Sequence, residues 1–154
     1  MEIVDRTLED DLDAVLDRPL FCFLAQTSSE GHPRLSPLWY LWEDDRIWII
    51  ADTVEKSYAT RVERTPETAV AIVDFDAETG RVRHVGMRGR AEIVPFDEER
   101  ANRLLARYLG PDREAWDERF VDIDPDRWGL IRFEPETVVA RDQSFSPSLE
   151  RTLD

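Results

Sequence analysis

The chain has very little of the residue types that build metal sites and disulfide frameworks. Its 154 residues include one cysteine, one lysine and two histidines. Cys22 has no partner for an internal disulfide, and it is expected to be a small buried apolar side chain rather than a reactive thiol. His32 and His84 lie far apart and form no metal-ligand pattern, so no metal site is predicted.

Positive charge is also scarce, because 20 basic residues face 34 acidic ones and the formal net charge is -14. A nucleic-acid partner is therefore not expected. Basic residues do cluster at 56–64 and 81–90, which favours a small anionic ligand over a polymer. The acid-rich, lysine-poor balance is also compatible with a salt-adapted source.

Long apolar runs and a recognisable leader are absent as well. No run approaches the roughly 20 apolar residues that a membrane span needs. The N-terminal stretch is acidic and amphipathic, without the pattern of a signal peptide. We therefore expect a cytoplasmic protein with no membrane partner.

The nucleotide and hydrolase motifs GxGxxG, P-loop and GxSxG do not occur, and strands do not alternate with helices. Six or seven strands with helices only at the margins predict a mainly β protein, a closed antiparallel β-barrel with peripheral helices. A single domain is expected over residues 1–142, followed by a flexible C-terminal tail over 143–154.

Apolar periodicity and turn residues place the elements along the chain. Helices are predicted for Leu8 to Asp17, after the capping-box pattern Thr7-Leu8-Glu9-Asp10, for Glu55 to Arg64, for the stretch from Asp97 to about Leu109, and for 112–120. Strands are predicted for Leu20 to Thr27, Arg34 to Trp42, Ile47 to Ala51, Thr68 to Phe75, Val82 to Val94, Trp128 to Phe133 and Thr137 to Ala140. The second and third strands are expected to form a hairpin around Glu43-Asp44-Asp45.

The segment after this hairpin is the first candidate binding site. Lys56, Ser57 and Arg61 fall at the start of a predicted helix, where free backbone N–H groups and the helix dipole favour an anion. Lys56 is the sole lysine and suits a point-charge contact to phosphate. The alternative is an ordinary surface lysine.

Pro37 marks a second candidate, because proline cannot donate to a strand ladder. Ser36 and Pro37 are therefore candidates for close approach of a ligand, and a simple edge strand is the alternative. Trp39 and Trp42 carry a large apolar surface that suits the core, a dimer surface or a wall for a stacked ring.

Four stretches, in this order and spacing, carry a resemblance to a known family. They are Gly31-His32-Pro33 with the strand to Trp42, the basic helix from Lys56 to Pro66, Val85 to Val94 with Gly89-Arg90-Ala91-Glu92 at its centre, and Ile131 to Val139. The chain resembles the flavin-binding split-barrel family typified by pyridoxamine 5'-phosphate oxidase, which includes deazaflavin-dependent reductase relatives. The resemblance covers roughly residues 15–142.

The resemblance implies a six-stranded antiparallel split barrel that forms a homodimer and holds FMN in each of two interface clefts. It implies that a bound flavin ring lies along Arg34, Leu35, Ser36, Pro37, Leu38 and Trp39. The phosphate contacts would come from Ala51, Asp52, Lys56, Ser57 and Arg61, and His84 would touch the ring. The expected activity is transfer of a hydride or electron pair to or from an unidentified small molecule.

The chain also departs from the family pattern. An Arg-Lys pair is replaced by Lys56-Ser57-Tyr58, and Arg141 stands where the oxidases carry a tryptophan, so oxidation of vitamin B6 is not expected. Arg88 and Arg90 are interpreted as exposed strand arginines, with contact to an anionic substrate as the alternative. No side chain is assigned an acid–base role, and Trp39 or Trp48 is expected to form an apolar wall.

Three alternatives to the FMN enzyme stay open from the sequence. The first is a reductase that uses a deazaflavin coenzyme. The second is a non-catalytic protein that binds flavin or haem, with His32 or His84 as haem ligand. The third is a dimeric scaffold whose site has decayed.

Overall fold

One eight-stranded sheet forms the framework of the computed structural model, which describes residues 1–8, 12–55 and 57–148. The strands are β1 Glu2–Arg6, β2 Cys22–Thr27, β3 Pro33–Leu38, β4 Leu41–Glu43, β5 Arg46–Asp52, β6 Glu67–Asp76, β7 Arg81–Pro95 and β8 Trp128–Asp142. The helices are α1 Leu12–Leu16, α2 Ser57–Arg64 and α3 Glu98–Leu109, with 3-10 turns at Arg113–Ala115 and Glu118–Phe120. The prediction of a mainly β protein with peripheral helices is confirmed, although the strands number eight rather than six or seven.

The sheet is open rather than closed. Its strand order is β3-β2-β6-β7-β8-β5-β4, all antiparallel, and β1 pairs in parallel with β8. Within the described residues no pairing joins β3 to β4, so the prediction of a closed barrel is wrong. Pro33 and Pro37 lack the N–H that a further strand beside β3 needs, which suits β3 to an edge.

The strand predicted from Arg34 to Trp42 is broken at Trp39 and Tyr40. β3 pairs with β2 whereas β4 pairs with β5, so the chain crosses between the two ends of the sheet. Tyr40 N donates to Tyr108 Oη over 3.0 Å, and Tyr40 O accepts from Arg107. Side chains of α3 thus replace the neighbouring strand at this point.

The predicted hairpin holds only for β4 and β5, where Asp44 and Asp45 have φ of 57° and 56° as in a type I′ turn.

The last two predicted strands are a single strand, β8. Pro135 lies opposite Gly89 at a shift of register that leaves Glu136 unpaired as a bulge. Gly89 lets the two backbones approach, because a Cβ placed there would lie 2.0 Å from the carbonyl oxygen of Glu134. The sequence interpretation ended a strand at Pro135, whereas the bulge absorbs it.

The N-terminal and post-α3 segments also differ from expectation. β1 was not predicted, because its residues are mostly exposed and show no apolar alternation. The helix expected from Leu8 is described only from Leu12, and Thr7 Oγ1 accepts from Asp142 N over 2.9 Å. Glu9 and Asp10 of the capping-box pattern lie outside the described residues. The short helix expected at 112–120 consists of the two 3-10 turns.

The sheet has a packed inner face and an outer face that carries an apolar row. Alternate residues of most strands point inward into the main core, and α3 covers a second core over β4, β5 and β8. On the outer face, Pro37, Phe23, Ala71, Gly86 and Val139 lie side by side in register across five strands. None of the described helices is long and apolar enough to cross a membrane.

The start of the predicted tail continues along β7. Gln143 N donates to Val82 O and Phe145 N donates to Gly80 O. Residues 149–154 lie outside the described part of the chain, and the flexibility of the tail stays a prediction.

Candidate functional site

A pocket of about 240 Å³ lies between the β2–β3 turn and α2, where the sequence predicts a phosphate contact. We call it the anion pocket and define it by its lining residues: Thr27, Ser28, Ser29, Ser57, Thr60, Arg61, Arg64 and Thr65. Hydroxyl groups and two guanidinium groups are thus the polar side chains that line it. No carboxylate among the described residues lines the pocket, although the chain has 34 acidic residues. This donor set suits a phosphate, which accepts hydrogen bonds and attracts positive charge.

Arg61 is held in this pocket by two neighbours. Its Nη1 donates to Gln26 Oε1 over 3.1 Å, and its Nη2 donates to Ser57 Oγ over 3.0 Å. Gln26 Nε2 donates in turn to the carbonyl oxygen of Tyr58 over 2.9 Å. Gln26 is buried at the end of β2 and ties that strand to α2. The predicted residues Ser57 and Arg61 are therefore brought together, while Lys56 lies outside the described residues and its role stays a prediction.

Sequence reasoning missed Gln26 and the two serines of the β2–β3 turn, whereas Arg64 falls in the basic cluster at 56–64. Gln26 had a detectable signal, because it is the one polar residue among the inward-facing positions of β2. Ser28 and Ser29 had no signal in the sequence beyond their place in a turn, since only the folded chain brings them next to α2.

Asp52 and Ala51 at the end of β5 are both buried. The Asp52 carboxylate accepts from the backbone N–H groups of Val54 and Glu55 over 3.0 and 3.1 Å. It also accepts from Arg127 over 2.6 Å, and this guanidinium holds the pKa of Asp52 well below its usual range. The carboxylate thus shapes the turn before α2, and Ala51 is fully buried opposite Gly129. Contact between these two residues and a cofactor stays a prediction. Because both side chains are buried, such a contact would come from their backbone atoms.

β3 forms one open edge of the sheet. Arg34, Ser36 and Leu38 share the side of the inward-facing β2 residues, while Leu35 and Pro37 share the outer face. Arg34 and Leu35 are exposed, and Leu35 has 66% of its surface accessible. A flat ligand lying along Arg34 to Leu38 would meet a free backbone edge rather than a neighbouring strand.

Trp39, just beyond β3, stands in an aromatic stack. Its ring is 4.6 Å from that of Tyr108 with an interplanar angle of 2°, and 5.7 Å from that of Phe120. Trp39 also lines a pocket beside β3. Trp48, the other predicted wall, is buried in the second core beneath the guanidinium of Arg100 at 3.6 Å. Of the two tryptophans, Trp39 is the one at a pocket.

His84 lies far from the anion pocket within the chain. It faces outward on β7, paired with Val73 and Arg141, and β7 stands three strands from β3. Three strand spacings amount to about 14 Å. A contact from His84 to a ligand on β3 of the same chain is therefore not favoured by the sheet geometry.

The remaining sequence candidates have ordinary surroundings. His32 is exposed in the β2–β3 turn, 3.7 Å from Glu30. Arg88 and Arg90 are exposed, and Arg90 pairs with Glu67 over 2.9 Å. Burial raises the pKa of the Cys22 thiol to about 12, which matches the prediction of an inert core residue.

A family model settles the relationship of the chain. The model described as pyridoxamine 5'-phosphate oxidase matches residues 8–140. The chain belongs to the pyridoxamine 5'-phosphate oxidase family. A comparison with curated protein sequences gives no significant match.

Solved structures agree on the fold of this family member. A conserved hypothetical protein of Mycobacterium tuberculosis aligns with a TM-score of 0.72 and 24% identity, covering 92% of this chain and 89% of that one. An F420 Reductase aligns with a TM-score of 0.62 and 23% identity, covering 82% and 94%. A FAD-binding protein of Mesorhizobium loti aligns with a TM-score of 0.63 and 19% identity, covering 92% and 100%. The expected split-barrel fold is thereby confirmed.

Proposed function

We propose that this member of the pyridoxamine 5'-phosphate oxidase family binds FMN and is a flavin-dependent oxidoreductase for a small molecule. The observation that carries the proposal is the anion pocket, which no described carboxylate lines and in which Arg61 is aligned by Gln26 and Ser57. The family assignment and the fold shared with a FAD-binding protein support the flavin class.

Different segments of the chain would contact the phosphate and the ring of the cofactor. Arg61 and Ser57 would bind the phosphate, and the free edge of β3 from Arg34 to Leu38 would orient the ring beside Trp39. A further phosphate contact from Lys56 is a prediction from the sequence. When bound, the flavin supplies the chemistry, exchange of a hydride or electron pair with the substrate. The apolar side chains around Trp39 exclude water from that side of β3.

We further propose that two copies associate through the outer face. The row Pro37, Phe23, Ala71, Gly86 and Val139 is apolar across five strands, and Val73 and Phe75 beside it are 43% and 59% exposed. Apolar patches of this kind mark association surfaces. His84 faces the same side of the sheet as this row, so contact between His84 and a ligand on β3 of a second copy stays a prediction.

The dimer is tested by placing a charge at the centre of that row. Ala71 is exposed, so Ala71→Arg is expected to fold and to shift the protein from dimer to monomer in sedimentation velocity. The matched control Val4→Arg, on exposed β1, is expected to leave the dimer intact. A wild-type monomer, or a dimer that survives Ala71→Arg, would contradict this surface.

A deazaflavin coenzyme is the second candidate. The observation that favours it is the fold shared with an F420 Reductase. Arg64 and the hydroxyls around Arg61 extend the anion pocket beyond the needs of one phosphate. Tighter binding of the deazaflavin than of FMN in the same titration would favour this candidate.

The phosphate contact is tested by comparing FMN with riboflavin, which lacks the phosphate. Arg61→Gln is expected to weaken FMN binding about tenfold or more, because charge-assisted hydrogen bonds contribute about 1.5–3 kcal/mol. Riboflavin affinity is expected to stay unchanged. Arg113→Gln makes the same charge change away from the pocket and serves as control.

Two results would contradict the assignment of the anion pocket. One is an Arg61→Gln protein that binds FMN as tightly as the wild type. The other is an equal loss of FMN and riboflavin affinity, which would indicate a general distortion rather than a lost phosphate contact. Lys56→Ala in the same titration tests the prediction for Lys56.

A further inference from the structure

A second pocket of about 380 Å³ lies at the end of β3 that is remote from the anion pocket. We call it the apolar pocket. Strand β5, helix α3 and the segment 111–127 enclose it. Its lining residues are Phe21, Pro37, Leu38, Trp39, Ile49, Ile50, Leu104, Leu105, Arg119, Phe120, Ile123 and Trp128. The volume is in the range of pockets that hold small organic molecules.

The lining of the apolar pocket is almost free of charge. Arg119 is its single charged residue among those described, and that side chain is 74% exposed at the rim. No described carboxylate lines the pocket, although acidic residues are abundant elsewhere in the chain. A charged ligand buried here would lose its hydration without gaining partners, which is costly.

Aromatic rings give the pocket a preference in shape as well as polarity. Trp39 is fixed by its parallel stack on Tyr108, whose hydroxyl donates to the carbonyl oxygen of Leu20 over 2.7 Å. Phe120 also packs against Trp39, with ring centroids 5.7 Å apart. Rings held in this way favour a flat, unsaturated ligand through stacking contacts.

The apolar pocket is separate from the anion pocket but touches the same strand. The two share no described lining residue, yet Pro37, Leu38 and Trp39 belong to the stretch proposed to carry the flavin ring. The anion pocket adjoins the start of β3, and the five residue steps from Pro33 to Leu38 span about 17 Å. A ligand in the apolar pocket would therefore lie beyond the ring end of a cofactor bound along β3.

We propose that the apolar pocket binds an uncharged aromatic molecule of about two rings. Its role as the substrate rests on the proposed flavin function, whereas the binding itself does not. A phosphorylated substrate does not fit, because its phosphate would meet only the exposed guanidinium of Arg119.

The test uses N-phenyl-1-naphthylamine, an uncharged two-ring probe whose fluorescence rises in apolar surroundings, on the whole protein without added flavin. Phe21 is 51% exposed at the pocket, and Phe145 is 49% exposed and lines none of the pockets described here. Phe21→Glu is expected to weaken probe binding tenfold or more, while the matched Phe145→Glu leaves it unchanged. Phe120→Ala, which removes a ring without adding charge, is expected to weaken binding as well.

Three outcomes would overturn the proposal. The first is probe affinity that Phe21→Glu and Phe120→Ala leave unchanged, or that Phe145→Glu lowers as much as they do. The second is equal or tighter binding of the anionic analogue 1-anilinonaphthalene-8-sulfonate. The third is full displacement of the probe by FMN, which would assign the pocket to the cofactor ring. FMN is added only in that separate competition experiment, and the probe titration itself contains no flavin. A protein that fails to retain FMN would therefore contradict the proposed function without altering the probe result.

Discussion

At the level of single residues, the candidate site depends on buried polar groups that orient exposed ones. Gln26 is buried, yet both ends of its amide are used, one toward Arg61 and one toward Tyr58 O. Asp52 acts in a similar way on the turn before α2 through Val54, Glu55 and Arg127. A buried polar group that is satisfied in this way fixes geometry, because leaving it unpaired costs free energy.

Asp74 is a further buried carboxylate, and it makes stability depend on pH. Burial alone would raise its pKa, but hydrogen bonds from Arg83 and Arg81, at 2.7 and 3.2 Å, and the charge of Arg18 hold the pKa below its usual range. The unfolded chain therefore binds the proton more readily than the folded one. The contribution of Asp74 to stability is complete above the unfolded pKa of about 4 and is lost as pH falls through the lower folded value.

Asp74→Asn tests this ion cluster. We expect a loss of about 3 kcal/mol in the free energy of unfolding at pH 7, because three arginines lose their anion. The variant should also show a weaker fall in stability between about pH 5 and pH 2. Urea unfolding across this pH range measures both effects. An identical pH dependence in variant and wild type would contradict the assignment.

At the level of elements, the long pair β7 and β8 depends on one glycine. A Cβ at Gly89 would lie 2.0 Å from Glu134 O and 3.0 Å from Pro135 Cα, both backbone atoms of the bulge. Gly89→Ala is therefore expected to destabilise the fold by about 3 kcal/mol or more, measured as a lower Tm. Gly86, three residues earlier on β7, has nothing within 4 Å of an added Cβ, so Gly86→Ala is the matched control. Equal melting temperatures for the two variants would contradict the role of the bulge.

The sequence predicted the elements whose patterns are local. Strands β2, β5, β6 and β7 and helix α3 fall close to their predicted ranges because apolar alternation, caps and turn residues lie within each segment. The break at Tyr40 and the continuity of β8 through Pro135 were not predictable in this way. Arg107 and Tyr108 stabilise the break from a distant helix, and Gly89 on another strand permits the bulge that carries β8 past Pro135.

In the candidate site, too, residues close in sequence were predictable, and residues brought together from distant segments were not. Ser57 and Arg61 lie on one helix, so their spacing was sufficient to place them together. Gln26, Ser28 and Ser29 join them only because β2 packs beside α2, a contact between segments about 30 residues apart. The apolar pocket was indicated in the sequence only by Trp39, since its other walls come from β5, α3 and the segment 111–127.

At the level of the whole molecule, the net charge of -14 dominates the surface electrostatics. Many arginines pair with carboxylates, for example Arg103 with Glu43 and Arg90 with Glu67. Exposed ion pairs contribute little to stability, typically less than about 1 kcal/mol each. When salt screens the charges, the stability lost from these pairs is therefore smaller than the stability gained from weaker repulsion among the excess carboxylates. Added salt should therefore stabilise the protein.

We expect the Tm to rise as sodium chloride increases from about 0.05 M to 1 M, where the Debye length falls from about 14 Å to 3 Å. The same direction in potassium chloride would show that screening, rather than a specific cation, is responsible. A Tm that falls with salt would show instead that the ion pairs outweigh the repulsion.

The visible absorbance spectrum of the purified protein tests most directly whether the folded chain holds a flavin. The protein would be recorded as purified, and again after FMN is added and unbound cofactor is removed by desalting. We predict a flavin band at close to one FMN per chain after desalting, with a clear reduction in Arg61→Gln. A wild-type protein that is colourless after this treatment would contradict the FMN site and leave the deazaflavin titration as the next test.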